Sequence, residues 1–143
     1  MPKKSIKPSD VIQSSTIKTT PISNSYISFS FQYFDNTSKK FSINQCGSNY
    51  FISVLERLKK ISYLSLGELK TNGSKALRFH SISWQDTTEK DGFSCLNKSL
   101  MDYANNFSFQ FEISANKHGR IHGFISDNVF YIVWFDPFHK LYS

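Results

Sequence analysis

The residues able to move protons or hold an anion gather in the last third of the chain. His118, His122 and His139 are three of the four histidines, and they stand with Glu112, Arg120, Lys140 and Tyr142 between Phe107 and Tyr142. Imidazoles titrate near neutrality, so three of them within about twenty residues are a natural acid–base set. Each polar residue here also has a plain structural explanation. Glu112 and Arg120 fit an ordinary cross-strand ion pair, worth a few tenths to ~1 kcal/mol. Arg120 and His122 fit an exposed strand face with side chains about 7 Å apart. His139-Lys140 fits a solvated C-terminal cap.

Metal chemistry has little support in the spacing. No HExxH pair occurs among His80, His118, His122 and His139, and Cys46 and Cys95 lie far apart. No metal or cofactor is expected. The cysteines lack the histidine-plus-carboxylate context of a nucleophile and read as two free thiols.

These groups need a scaffold, and the composition says which kind. The chain has 143 residues, 39% apolar, with 14 Phe, 7 Tyr and 2 Trp. That is enough for one core built from flat rings, which favours strands over a helical bundle. No apolar run approaches the ~20 residues of a membrane span, and the opening MPKKSIKPSD lacks a signal peptide's apolar stretch. A cytoplasmic protein without a membrane partner is expected. The net charge is +6, half of it carried by the first twenty residues through Lys3, Lys4, Lys7 and Lys18 against Asp10. Such a balance is compatible with a polyanionic partner without demanding one.

Residues 1–24 are rich in Ser, Thr, Lys and Pro and read as a flexible basic segment; residues 25–143 read as one domain. Ile27, Phe29, Phe31 and Tyr33 alternate with polar residues, a strand with one buried face. Phe41 and Ile43 suggest a second short strand. Ser48 or Asn49 is a fitting N-cap for a helix whose Phe51, Val54, Leu55, Leu58 and Ile61 form the apolar stripe. Ser65 and Glu68 fit a capping box for a further helix that points Leu66 and Leu69 inward, with Gly73 as its left-handed stop. Leu77, Phe79 and Ile82 suggest a strand presenting Arg78 and His80 on its other side. Residues 83–98 read as a loop anchored by Trp84, Phe93 and Leu96, with a helical turn near Asn97–Tyr103.

Phe107, Phe109, Phe111 and Ile113 then alternate cleanly, residues 116–119 turn, Arg120 and His122 share one face, and Ser126-Asp127-Asn128 makes a tight turn. Val129–Phe135 is apolar throughout, a central strand covered on both faces, which Asp136-Pro137 breaks. The expected fold is α+β: helices packed on one face of a twisted antiparallel sheet, with a C-terminal three-stranded meander.

The element order, together with F-x-F-E-I (Phe109–Ile113), G-R-I-H-G-F (Gly119–Phe124), the Asp127-Asn128 turn, the apolar strand and the terminal H-K-L-Y (His139–Tyr142), resembles the RelE/YoeB/HigB class of small bacterial toxins over about residues 50–142. The resemblance implies metal-independent cleavage of messenger RNA, usually within the ribosome, by attack of a ribose 2′-hydroxyl on the adjacent phosphate. It implies an acidic antitoxin partner as well. Arg120 matches the family's central-strand arginine and would hold the phosphate bidentately. His139 and Tyr142 fall where the family has a terminal His or Tyr; Glu112 and His122 complete the catalytic set. Lys75, Arg78, His80, Lys117 and Lys140 would contact the nucleic acid. The chain departs from the pattern in its extra front strand, in the 83–98 loop and in lacking paired mid-chain lysines. The competing expectation is a non-enzymatic binding module of phage or mobile-element origin that contacts nucleic acid or a protein.

Overall fold

The fold was taken from a computed structural model, which describes residues 25–114 and 117–142. The expected flexible segment 1–24 and Asn116 of the expected turn lie outside them. The elements are β1 (Ser28–Ser30), α1 (Ser48–Ile61), α2 (Leu66–Ala76), β2 (His80–Ser81), a 3-10 turn (Trp84–Asp86), α3 (Lys98–Asn106), β3 (Ser108–Glu112), β4 (Arg120–Ser126) and β5 (Val129–Asp136). They build an α+β fold on one open, twisted sheet of order β1-β5-β4-β3-β2. The expected antiparallel meander is β3-β4-β5. The sheet as a whole is mixed, because β1 joins β5 in parallel.

Several local expectations hold, each for a visible reason. Ser65 and Glu68 exchange reciprocal bonds, Ser65 N–H to Oε1 at 2.9 Å and Glu68 N–H to Oγ at 3.1 Å, so two orphan donors at the start of α2 are satisfied. The β4–β5 link is two residues long, and Asp127 and Asn128 both take positive φ (51° and 66°). That is the primed turn matching the twist of a hairpin. Asn97 caps α3 by accepting from the Leu100 N–H at 3.0 Å.

Others need correction. Strand β1 stops at Ser30, and Phe31 turns out to solvent where the chain bends back through a Phe34 N–H to Phe31 carbonyl bond. Phe41 is buried without forming a strand. The cap of α1 is Gly47, and its buried stripe is Tyr50, Val54, Leu58 and Ile61. Phe51 and Leu55 instead face solvent. A stripe starting one residue earlier keeps the same period, so periodicity alone did not choose between them. Helix α2 runs through Gly73 to Ala76 instead of stopping there. At Phe107 the alternation fails: the ring is exposed and β3 begins at Ser108.

The largest difference concerns layers. Helices α1 and α2 cover one face of the sheet, over Phe111, Ile121, Ile125, Phe130, Ile132 and Phe135. The other face is not open. Phe124, Val133 and Trp134 are buried there beneath Ala104 of α3, Phe93 of the long loop, Phe41 and Leu141. Trp84 and Phe93 are the loop anchors that the sequence pointed to, and Trp134 stacks on Phe41 at 4.5 Å between ring centroids. A β-bulge makes this second layer possible. His122 pairs with Trp134 but Gly123 with Ile132, so Val133 is the extra residue and both it and Trp134 reach the same side.

Gly123 stands at that bulge. A Cβ there would run into the Tyr131 carbonyl and the Phe130 ring, and neither can retreat from a close-packed interior. Gly123→Ala should therefore lose ~1–3 kcal/mol of stability, read as a lower urea midpoint at unchanged m-value. An unchanged midpoint would mean that the bulge has slack.

Candidate functional site

The buried second face carries polar residues as well as rings. Gln110 of β3 lies opposite His122 of β4, and Arg120 of β4 lies between Glu112 of β3 and Asp136 of β5. Side chains at these positions share one side of the sheet, as the alternation implied. The expectation of an exposed polar face for Arg120 and His122 is overturned, however. His122 is fully buried, as is Gln110, and Arg120 is half-buried. The covering piece is the tail after β5, which folds back over the ends of β4 and β5.

Asp136 fixes that tail. Its carboxylate accepts from the Lys140 N–H at 2.7 Å, the Leu141 N–H at 2.9 Å and His122 Nε2 at 3.1 Å. From the other side, Thr88 donates its N–H to the Leu141 carbonyl and its hydroxyl to the Lys140 carbonyl. His139 takes a positive φ of 55° inside this turn, a sparsely populated conformation held by its surroundings. Gly119 (φ 75°) lets the turn before β4 pass against the Asp136 carbonyl, where a Cβ would collide.

Strand and tail together enclose a cavity of about 80 Å³ lined by Gln110, Arg120, His122, Asp136, His139 and Tyr142. Four of the five residues expected to be catalytic meet in it: Arg120, His122, His139 and Tyr142. Glu112 does not. It is buried outside the lining, with its Oε2 3.4 Å from Arg78 Nε. The cross-strand register with Arg120 is as expected, but the ion pair runs to Arg78. Asp136 and Gln110 are the lining residues that sequence reasoning missed. Asp136 read only as a strand breaker before proline, and Gln110 as an outward polar residue.

The residues expected at nucleic acid are spread over several elements. Lys75 is exposed on α2, Arg78 and His80 sit at the β2 edge, Lys117 in the β3–β4 turn and Lys140 in the tail. His80 reaches the cavity indirectly, through Gln110 Nε2 at 3.1 Å from its Nε2. Its Nδ1 lies 3.0 Å from the Ser81 carbonyl, so Nδ1 carries the hydrogen and Nε2 accepts from the amide. His118 and His122 are four residues apart but lie in different surroundings. His118 meets the edge of Tyr50, while His122 packs against Phe41 and Trp134. Among the described residues no group of three or more His, Cys, Asp or Glu could hold a metal ion.

The charge states follow from burial. Desolvation pushes the His122 pKa below its ordinary value, with help from Arg120 and His139, against the opposing hydrogen bond and charge of Asp136. Desolvation pushes Asp136 up, but the His122 hydrogen bond, with the Lys140 and Leu141 N–H groups, outweighs it and leaves the carboxyl below the usual range. An ionised Asp136 beside a neutral His122 puts the imidazole proton on Nε2. His122 Nδ1 is then an acceptor, and among the described residues it has no hydrogen-bond partner; nor has Gln110 Oε1, nor the Arg120 Nε donor. The cavity thus combines unpaired acceptors with a cationic donor, suited to a ligand that presents a hydroxyl next to an anionic oxygen.

No known protein family matches the chain, and neither a curated protein nor a solved structure is significantly similar to it. No helix among the described residues is long and apolar enough to cross a membrane.

The depressed His122 pKa makes stability depend on pH. Below the ordinary value of ~6.5, the unfolded chain takes up a proton here that the folded one refuses. Stability should be complete above that pH and fall as the pH drops towards the folded-state pKa. Asp136, lowered from 3.8, adds a second loss as the pH falls below that value. Urea midpoints from pH 8 to 4 should show the first decline in the wild type and not in His122→Gln. Parallel curves for the two proteins would contradict the assignment.

Proposed function

We propose that the protein is a metal-independent endoribonuclease, the toxin of a bacterial toxin–antitoxin pair, which cleaves message through its own 2′-hydroxyl. One observation carries the reading: a neutral, tautomer-fixed His122, whose Nδ1 has no partner among the described residues, lines the same small cavity as Arg120, His139 and Tyr142. At about 80 Å³ the space admits a hydroxyl and phosphoryl oxygens but no base, so only the scissile group would enter.

The roles follow from the groups. His122 Nδ1 takes the proton of the 2′-hydroxyl, whose oxygen attacks phosphorus as the bond from phosphorus to the 5′-oxygen breaks. Arg120 meets the charge developing on the non-bridging oxygens. His139, at the half-exposed rim, donates the proton that the leaving 5′-oxygen needs. The Tyr142 oxygen already accepts the Ser83 N–H at 2.8 Å, which leaves its hydroxyl proton to donate to the phosphate. The products are a 2′,3′-cyclic phosphate and a 5′-hydroxyl. Asp136 orients His122 and holds the strip of tail that bears His139. The ribosome is the proposed setting, and Glu112 has no part in the step.

The alternative, a binding module without turnover, draws on a different surface. Phe51, Ile52 and Leu55 stand exposed on the outer side of α1, with Tyr63 just beyond its end. An antitoxin would use the same apolar strip, as would any other protein partner.

Labelled single-stranded RNA incubated with the protein and excess EDTA should yield fragments ending in cyclic phosphate. Arg120→Ala and His139→Ala should each slow single-turnover cleavage by ~10²–10⁴. Expression of the wild type should arrest growth, and the double variant should relieve the arrest. Intact RNA, free and ribosome-bound, together with harmless expression, would sink the nuclease and leave the binding module.

A further inference from the structure

A larger groove lies on the other side of the tail from the cavity. It encloses about 390 Å³ between the segment after β1 and the chain end, with Asn36, Lys39, Asn44, Gln45, Phe138 and Lys140 among its lining residues. Among the described residues three lysines line it and no carboxylate does. Lys40 is committed, since its ammonium pairs with Glu89 and bonds to Thr88. Lys39 and Lys140 are both exposed.

Phe138 is 60% exposed in this groove, although the chain has buried rings on both faces of its sheet. The Lys140 ammonium lies 5.8 Å from its ring centroid. An open aromatic ring beside two lysines, with amide side chains in reach, combines a stacking platform with a track for a charged backbone. The tail connects this platform to the cavity. His139 lines the cavity, while its neighbours Phe138 and Lys140 line the groove, so the turn that Asp136 pins is the wall between them.

We infer that this groove holds the nucleotide next to the scissile one in a single-stranded RNA. Its base stacks on Phe138, its phosphates are taken by Lys39 and Lys140, and Asn36, Asn44 and Gln45 face the base edge. The inference rests on the ribonuclease reading for its choice of ligand. It requires a single strand, because a base paired within a duplex has no free face to offer a ring. It also supplies what the cavity lacks, which is a hold on the strand outside the reacting atoms.

The test uses the full chain and a fluorescein-labelled 2′-O-methyl uridine dodecamer, which has no free 2′-hydroxyl and so cannot be cut by this route. Binding is followed by anisotropy. Phe138→Ala should weaken it at least about tenfold. Lys39→Ala should flatten the dependence of log K on log salt by about 0.7, one phosphate contact on a single strand. Both positions are exposed, and unchanged thermal melts would show the fold intact. Wild-type binding that both substitutions leave unchanged, or no wild-type binding, overturns the inference. Parallel assays on unmodified RNA separate the two claims. Binding that Phe138→Ala weakens without any cleavage of RNA removes the nuclease and keeps the groove. Cleavage with binding indifferent to both variants removes the groove and keeps the nuclease.

Discussion

Everything at the candidate site of this protein hangs on the Asp136 carboxylate. It is 2% exposed and receives three N–H groups, one from an imidazole and two from the backbone of the tail. A buried carboxylate is expensive to desolvate unless its oxygens are satisfied. Here satisfying them does two structural jobs together. It bends the chain after β5 back over the sheet, and it decides which nitrogen of His122 bears hydrogen. The site and the C-terminal fold therefore form or fail together.

The second buried layer explains why a chain of this size carries so many aromatic rings. One face of the sheet is covered by helices with ordinary aliphatic stripes, but the other is covered by a loop, a short helix and a tail. Irregular chain cannot interdigitate as a helix does, so large flat side chains such as Phe41, Phe93, Trp84 and Trp134 fill the gap. The bulge at Val133 turns two successive residues of β5 into this layer. Beyond the rings the same face turns polar, and the cavity begins where the rings end, with His122 in contact with both Phe41 and Trp134. Burial by those rings is what keeps His122 neutral.

Much of this architecture was legible from local pattern. The capping box at Ser65 and Glu68, the Asp127-Asn128 turn, the alternation from Phe109 to Ile113 and the doubly covered β5 each depend on residues close in sequence, and each appears as expected. So does the shared face of Arg120 and His122. Failures came where a local pattern admits two solutions. The stripe of α1 could start at Tyr50 or at Phe51, and the strand expected over Leu77, Phe79 and Ile82 is confined to His80–Ser81, after a kink at Arg78 with a φ of 49°.

Four members of the cavity were visible as residue types, because His and Arg near a chain end are conspicuous whatever they do. Asp136 and Gln110 were not, and Glu112, expected beside those four, lies outside the lining. Sequence by itself determined the β3-β4-β5 meander, the faces of those strands and the place of α1, since backbone preference and hydrophobic period are short-range properties. Only the tertiary structure decided that the polar face would be covered, that Glu112 would turn to Arg78, and that Asp136 would close on His122. The physical reason is that burial depends on segments far along the chain. The 83–96 loop and the 137–142 tail exclude water from residues whose own neighbours read as solvent-exposed, and that exclusion selects the charge and partner of each.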